Sequence, residues 1–305
     1  MRRHVTPLLL AAVLAAMPRA GAAQEADARA LLGQAREALG GDAALNAVTA
    51  FVIEGSLARA IMPGRMVSNN FSFECALPDT FVRITHAGSN GGPLPRFSTT
   101  DFAGFNANAL IRDHRVTGNP PMPTFIPDPR VKTAADAAAA RAALVMAYKR
   151  EFIKLAVPLF AQSLSAYPLS FERVSLEADG AVITFTTPDS VRWELSFDPK
   201  SHLPVKLSWM ESPPIVVSTS SMIAVGGNGG VASSTSQPNM PLAPGAPARW
   251  ELTMSDYRVA DGINWPRRMT TTVGGAKTEE WQFSKIRINP KIDDKDFVPR
   301  DRHDD

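Results

Sequence analysis

The chain has one cysteine, Cys75, in 305 residues. A disulfide within the chain is therefore excluded, whatever compartment it occupies. Cys75 falls in phase with Val67, Asn69, Phe71 and Phe73, so it reads as a small packed hydrophobe rather than a reactive thiol. Histidine is scarce too: among His4, His86, His114, His202 and His303 no two have the spacing of zinc ligands. There is no GxSxG elbow, and the glycines at 226–230 precede no capped helix, so they form no phosphate loop. Asp113-His114-Arg115 is a lone charged triplet and reads as solvated surface. No catalytic motif marks an enzyme, and neither a metal nor another cofactor is expected.

An excess of one charge is also missing. The formal net charge is +2, but residues 1–23 hold Arg2, Arg3 and Arg19 and no acid, so the remainder carries 2 − 3 = −1. No basic stripe is left for nucleic acid. Long apolar runs are absent as well. Leu8 to Met17 is shorter than the ~20 residues a spanning helix needs, so no membrane span is expected. That run follows Arg2-Arg3 and precedes Ala20, Gly21, Ala22 and Ala23, the pattern of a secretory signal cut near Ala22 or Ala23. No cysteine at that point offers a lipid anchor.

What is present is alternation. From Ala248 to Pro299 apolar and polar residues alternate through Trp250, Leu252 and Met254, then Ile263, Trp265, Arg267 and Met269, then Trp281 and Phe283. A period of two predicts strands with one buried face, and Asp261-Gly262 and Gly274-Gly275 supply the hairpin turns. Earlier strands are predicted at 51–61, 66–75, 80–85 and 97–102, and later ones at 170–176, 181–187, 192–197 and 205–209, with turns at Asp179-Gly180 and at Asp198 to Ser201. Ala26 to Leu39 reads as a helix stopped by Gly40-Gly41, after which Asp42 caps a short turn, 43–48. Thr133 to Leu164 reads as a second helix, with Leu144, Tyr148, Phe152 and Leu155 on one face and Pro158 set to kink or end it. Residues 211–248 are rich in Gly, Ser and Pro and read as a mobile insertion, with apolar patches at 215–217 and 222–225 that suit a flap. The expected organisation is a signal peptide over 1–23 and a single domain over 24–305, with its central helix at about 133–164.

Several phrases are familiar in this order. ALGGDAALNAV closes the first helix, FVIEGSLA opens the strands, WELSFDPKSHLPVKL follows the central helix, and DYRVADGINWPRRM with EEWQFSKIRINPKIDDKDFVP ends the chain. Together they resemble the periplasmic outer-membrane lipoprotein carrier (LolA-like) superfamily, and the likeness spans most of the chain after the signal. The resemblance implies a mainly β, α+β fold: a strongly curved antiparallel sheet, an open half-barrel, wrapped around one or more helices in the periplasm. It also implies an apolar cavity for a lipid, an acyl chain or a lipidated protein. Trp193, Phe197, Trp209, Trp250, Trp265 and Trp281 are the candidate lining. The alternative is a non-catalytic module that binds another envelope protein while its own helix fills the cavity. The signal pattern makes a simple prediction: N-terminal sequencing of exported protein should begin at Ala23 or Gln24, and a retained Met1 would contradict it.

Overall fold

The computed structural model describes residues 20–62, 65–88, 97–118, 133–160, 168–177, 180–212, 223–225, 231–233, 246–293 and 297. The sequence pattern is realised as one 12-stranded antiparallel sheet, strongly curved and unclosed. Strands β1 (Ala50–Met62), β2 (Arg65–Ala76), β3 (Thr80–Gly88), β4 (Phe97–Asn106) and β5 (Ala109–Gly118) form an N-terminal meander. Strands β6 (Ser170–Glu177), β7 (Gly180–Thr186), β8 (Arg192–Phe197) and β9 (Pro204–Glu211) form another. The last hairpins, β12 (Ala248–Ala260), β13 (Ile263–Val273) and β14 (Ala276–Ile288), join the two, because β12 pairs with β9 and β14 pairs with β1.

Both hairpin turns take the residues their backbone demands. Asp261 and Gly262 have φ of 49° and 83°, and Gly274 and Gly275 have 56° and 84°; two successive positive φ values match the right-handed twist of the strands they connect. At the β8–β9 turn, Asp198 Oδ1 accepts from the backbone N–H of Lys200 (3.0 Å) and Ser201 (2.7 Å), an Asx turn. Those bonds to Ser201 and Lys200 hold the exposed Asp198 carboxyl below its usual range. The first and last strands are locked by Asn289, whose Oδ1 accepts from the N–H groups of Thr49 (2.8 Å) and Ala50 (3.2 Å) while its Nδ2 donates to Ala47 O (2.8 Å).

Two long helices lie against the inner face. The first, α1 (Ala20–Leu39), starts earlier than the predicted Ala26 and buries Ala28, Leu31, Leu32, Ala35 and Leu39. It stops where predicted, for two reasons. Gly40 has φ +131°, and a Cβ there would lie 2.4 Å from Gly262 O, so only glycine lets the helix end close on the β12–β13 turn. The expected cap by Asp42 is corrected. In α2 (Asp42–Asn46) Gly41 occupies the N-cap without a side-chain bond, and Asp42 instead pairs with the buried Arg36 of α1.

The central helix, α3 (Ala134–Phe160), keeps Pro158 inside its last turn; 161–164 lie outside the described residues. So do Asp179 of the predicted Asp179-Gly180 turn, most of the 211–248 insertion and residues 1–19, which hold most of the signal pattern. Within the insertion, β10 (Ile223–Val225) and β11 (Val231–Ser233) pair as a small hairpin. No described helix is long and apolar enough to cross a membrane.

One strand of the large sheet, β5, escapes sequence patterning, as do the short β10 and β11. In β5 the buried Ile111 packs with Val82 and Phe297 in a separate cluster, apart from the main core. Its environment comes from the far end of the chain, so no local alternation betrays it. The main core unites α1, α3 and the inner faces of both meanders. Phe73 is 1 % exposed there, and Leu176 on β6 is 87 % exposed. In urea titrations Phe73→Ala should cost about 3–5 kcal/mol and Leu176→Ala no more than about 0.5 kcal/mol; equal losses would contradict this assignment of the core.

Candidate functional site

The six candidate aromatics all belong to the inner face. Trp193, Phe197, Trp209, Trp265 and Trp281 are buried in the main core, and the half-buried Trp250 packs against it. Three of them form a ladder across β8, β9 and β12. Trp193 lies 4.9 Å from Trp209, which lies 5.9 Å from Trp250, and Phe185 of β7 extends the row. The strand register imposes this, since Trp193 pairs with Trp209 and Trp209 with Trp250. Trp281 joins a second aromatic group with Phe71 and Phe73 at 5.0 and 5.1 Å. Trp265 packs on Phe51 at 5.2 Å, and Phe197 sits elsewhere in the same core.

Helix α3 bridges the two groups. Its Phe152 meets Phe81 and Phe105 of the N-terminal meander at 5.8 and 5.9 Å, and Lys154 Nζ lies 4.7 Å from the Trp209 ring of the other, within cation–π range. Two consecutive residues fasten it on opposite sides. Arg150 Nε donates to Asp189 Oδ2 (2.6 Å), beyond β7, and its Nη1 to Glu211 Oε1 (2.9 Å) of β9. Glu151 pairs with Arg83 of β3.

The Arg150 grip also reaches the tryptophan ladder. Trp193 Nε1 donates to Thr187 Oγ1 (3.1 Å), whose hydroxyl donates to Asp189 Oδ1 (2.6 Å). Trp209 Nε1 donates to Glu211 Oε2 (2.9 Å), and Trp250 Nε1 to the Glu211 carbonyl (3.1 Å). Every indole N–H of the ladder is thus satisfied around the two carboxylates that hold α3. At the edge of the cover, Phe105, Phe152, Pro78 and Lys149 line an apolar pocket of about 130 Å³, where Lys149 Nζ donates to Asn108 Oδ1 (2.8 Å).

Arg83, Arg150, Glu151, Asp189 and Glu211 were not among the candidates drawn from the sequence. A signal for Arg83 was there to read: it follows Phe81 by two residues, a charge in the buried phase of a strand. Arg59 follows Leu57 in the same way and meets Glu279 at 2.9 Å. Asp113 and Arg115, read as solvated surface, lie on β5 and pair with each other at 2.9 Å, and Arg115 covers the Phe102 ring at 4.6 Å. Among the described residues no group of three His, Cys, Asp or Glu side chains is placed to hold a metal. Burial, and Glu74 beside it, push the Cys75 thiol well up, consistent with a packed cysteine.

No family model matches the chain, and no curated protein sequence matches it. Solved structures do. A domain from Vibrio parahaemolyticus described as outer membrane lipoprotein-sorting is 12% identical with a TM-score of 0.41, over 87% of this chain and 95% of that one. A LolA superfamily protein from Nitrosomonas europaea is 11% identical with a TM-score of 0.42, over 89% and 97%. A DUF1329 family protein from Desulfovibrio piger is 11% identical with a TM-score of 0.39, over 88% and 96%. The superfamily named there is the one the sequence phrases resemble. Scores at this level carry nothing about ligand, partner or task.

The Arg83–Glu151 pair should make the fastening of α3 sensitive to acid. Burial alone would raise the Glu151 carboxyl, but the charges of Arg83, Arg59 and Lys154 and the bond from Arg83 outweigh it and hold it below its usual value. A carboxyl lowered in the folded state contributes stability above its unfolded pKa and loses it as pH falls through the folded value. Glu151→Gln should therefore be less stable by about 1–3 kcal/mol at neutral pH, and the gap should close below about pH 4. Melting curves across that range test it; a gap independent of pH would contradict it.

Proposed function

We propose that the protein is an exported, non-catalytic periplasmic carrier or binding protein for a hydrophobic ligand: a lipid, an acyl chain or a lipidated protein. In this reading the ligand takes the inner face, against Trp193, Phe197, Trp209, Trp250, Trp265 and Trp281, after α3 moves aside. The observation that supports it is the polar fastening of α3. A helix that is a permanent part of a core is best sealed by apolar packing, because an interior ion pair recovers its desolvation cost poorly. Here Arg150, Glu151 and Lys154 sit in the middle of the cover, over aromatic rows, and their bonds can exchange for water when the helix lifts. Each CH₂ of an acyl chain buried against the aromatic rows contributes about 0.8 kcal/mol, which goes toward offsetting the helix contacts that are lost.

One observation favours a second reading. Trp193, Phe197 and Trp265 are at most 1 % exposed and share their core with side chains of α1 and α3, as in an envelope interaction module whose cavity is filled by its own helices. Titration with a fatty acid and with a phospholipid, read by tryptophan fluorescence, separates the two. A carrier should show saturable change, diminished in Trp250→Phe and Trp193→Phe, and tighter binding in Arg150→Gln, where the cover is loosened. Lipid should also co-purify and be visible by mass spectrometry. No saturable change and no co-purified lipid would leave the interaction module.

A further inference from the structure

A larger recess opens where two strands of the sheet part, and residues of both strand phases line it. Strands β13 and β14 pair from Val273↔Ala276 to Arg268↔Gln282 and no further. Beyond that point β14 continues along β1 to Ile288, while the first residues of β13 follow β12. A cleft of about 870 Å³ opens there, lined from both sides of the parting. It falls in the size range of small-molecule sites. At its centre β1 pinches against β14: a Cβ on Gly55 would lie 2.0 Å from Gln282 O, and the register shifts between Glu54 and Gly55. The bulge bends the sheet at the cleft.

Charge in the cleft is unevenly matched. Glu54 is engaged by Arg287 at 2.7 Å, and Asp256 receives both Nε and Nη2 of Arg258 at 3.1 and 3.2 Å. Arg268 reaches Glu280 at 3.7 Å, and Glu74 has a partner of its own. Arg267 stands apart. It shares the strand phase of the buried Trp265 and Met269, it has no ion pair among the described residues, and its Nε is buried without a hydrogen bond. A buried charged donor left unpaired is costly, and an oxyanion is the acceptor that a guanidinium fork matches best.

The rest of the lining narrows the ligand. Ser56, Ser72 and Asn70 contribute groups that both donate and accept hydrogen bonds, which suits hydroxyls. The two phenylalanines at the cleft, Phe71 and Phe283, are 3 % and 5 % exposed, so no aromatic face is offered to stack a base. The resident carboxylates disfavour a polyanion.

We propose that this cleft binds a hydroxyl-rich ligand bearing a single oxyanion, a sugar phosphate or a sugar carboxylate, with the oxyanion on Arg267 and the hydroxyls on the Ser56–Asn70–Ser72 side. None of the six candidate aromatics lines this cleft, so failure of the lipid titration leaves the proposal untouched. Calorimetric titration of the full mature protein with glucose 6-phosphate and with glucuronate tests it, with glucose and inorganic phosphate as controls. At least one anionic sugar should bind saturably, and the stronger of the two identifies the oxyanion. Glucose and inorganic phosphate should each bind at least about tenfold more weakly, a factor equal to about 1.4 kcal/mol. Arg267→Gln should lose about tenfold or more with its melting temperature kept, and Ser72→Trp, on an outward-facing position, should abolish binding by filling the cleft. The proposal is overturned if neither sugar binds, if inorganic phosphate binds as tightly as the sugar phosphate, or if Ser72→Trp leaves binding unchanged.

Discussion

The pairing of β1 with β14 holds this architecture together. It runs from Phe51↔Ile288 to Arg59↔Glu279 and turns two meanders, made from opposite ends of the chain, into one surface. Phe51, Ile53 and Leu57 on one strand and Trp281, Phe283 and Ile286 on the other enter the same core. The Asn289 bonds to Thr49, Ala50 and Ala47 fix the end of this seam. Without it the sheet would fall into halves, and α3, which is fastened to both, would have nothing to span.

Given that seam, the inner face is built from two kinds of contact with different consequences. Aromatic rows supply non-directional burial, with about 0.5–1.5 kcal/mol more for each well-oriented ring pair. The charged residues set position. Arg83, Arg150, Glu151 and Lys154 contribute little net stability when compared with apolar packing, but they define where α3 sits along the inner face. Because Arg150 and Glu151 are neighbours in sequence, a hundred degrees apart around the helix, they pull toward opposite margins of the sheet. The helix is centred by opposing fastenings.

Much of this was legible in the sequence. The strands of both meanders other than β5, the Asp-Gly and Gly-Gly hairpins, the stop at Gly40 and the central helix follow from local pattern and turn chemistry, and the resemblance of the ALGG and DGINWP phrases pointed to the curved sheet. What escaped has non-local causes. Ile111 of β5 is buried by Phe297, nearly two hundred residues away, so its own neighbourhood carries no periodic signal. Asp42 has the composition of a cap but serves Arg36. The polar fastenings were missed because a reading of alternation treats a charge in a buried row as an interruption. Arg83 beside Phe81, Arg59 beside Leu57 and Arg267 beside Trp265 show that such interruptions mark where the sheet meets its cover or parts from its neighbour.

The strand order also sets a schedule. Residue 50 begins a strand whose second neighbour is not made until residues 276–288, so a chain emerging N-terminus first holds a bare edge along β1 for most of its synthesis. Closing that loop carries a large entropic cost, returned only when the final hairpin docks. The sheet therefore cannot be completed by a partial chain. Until its last strand is released, β1 is left with β2 as its one partner.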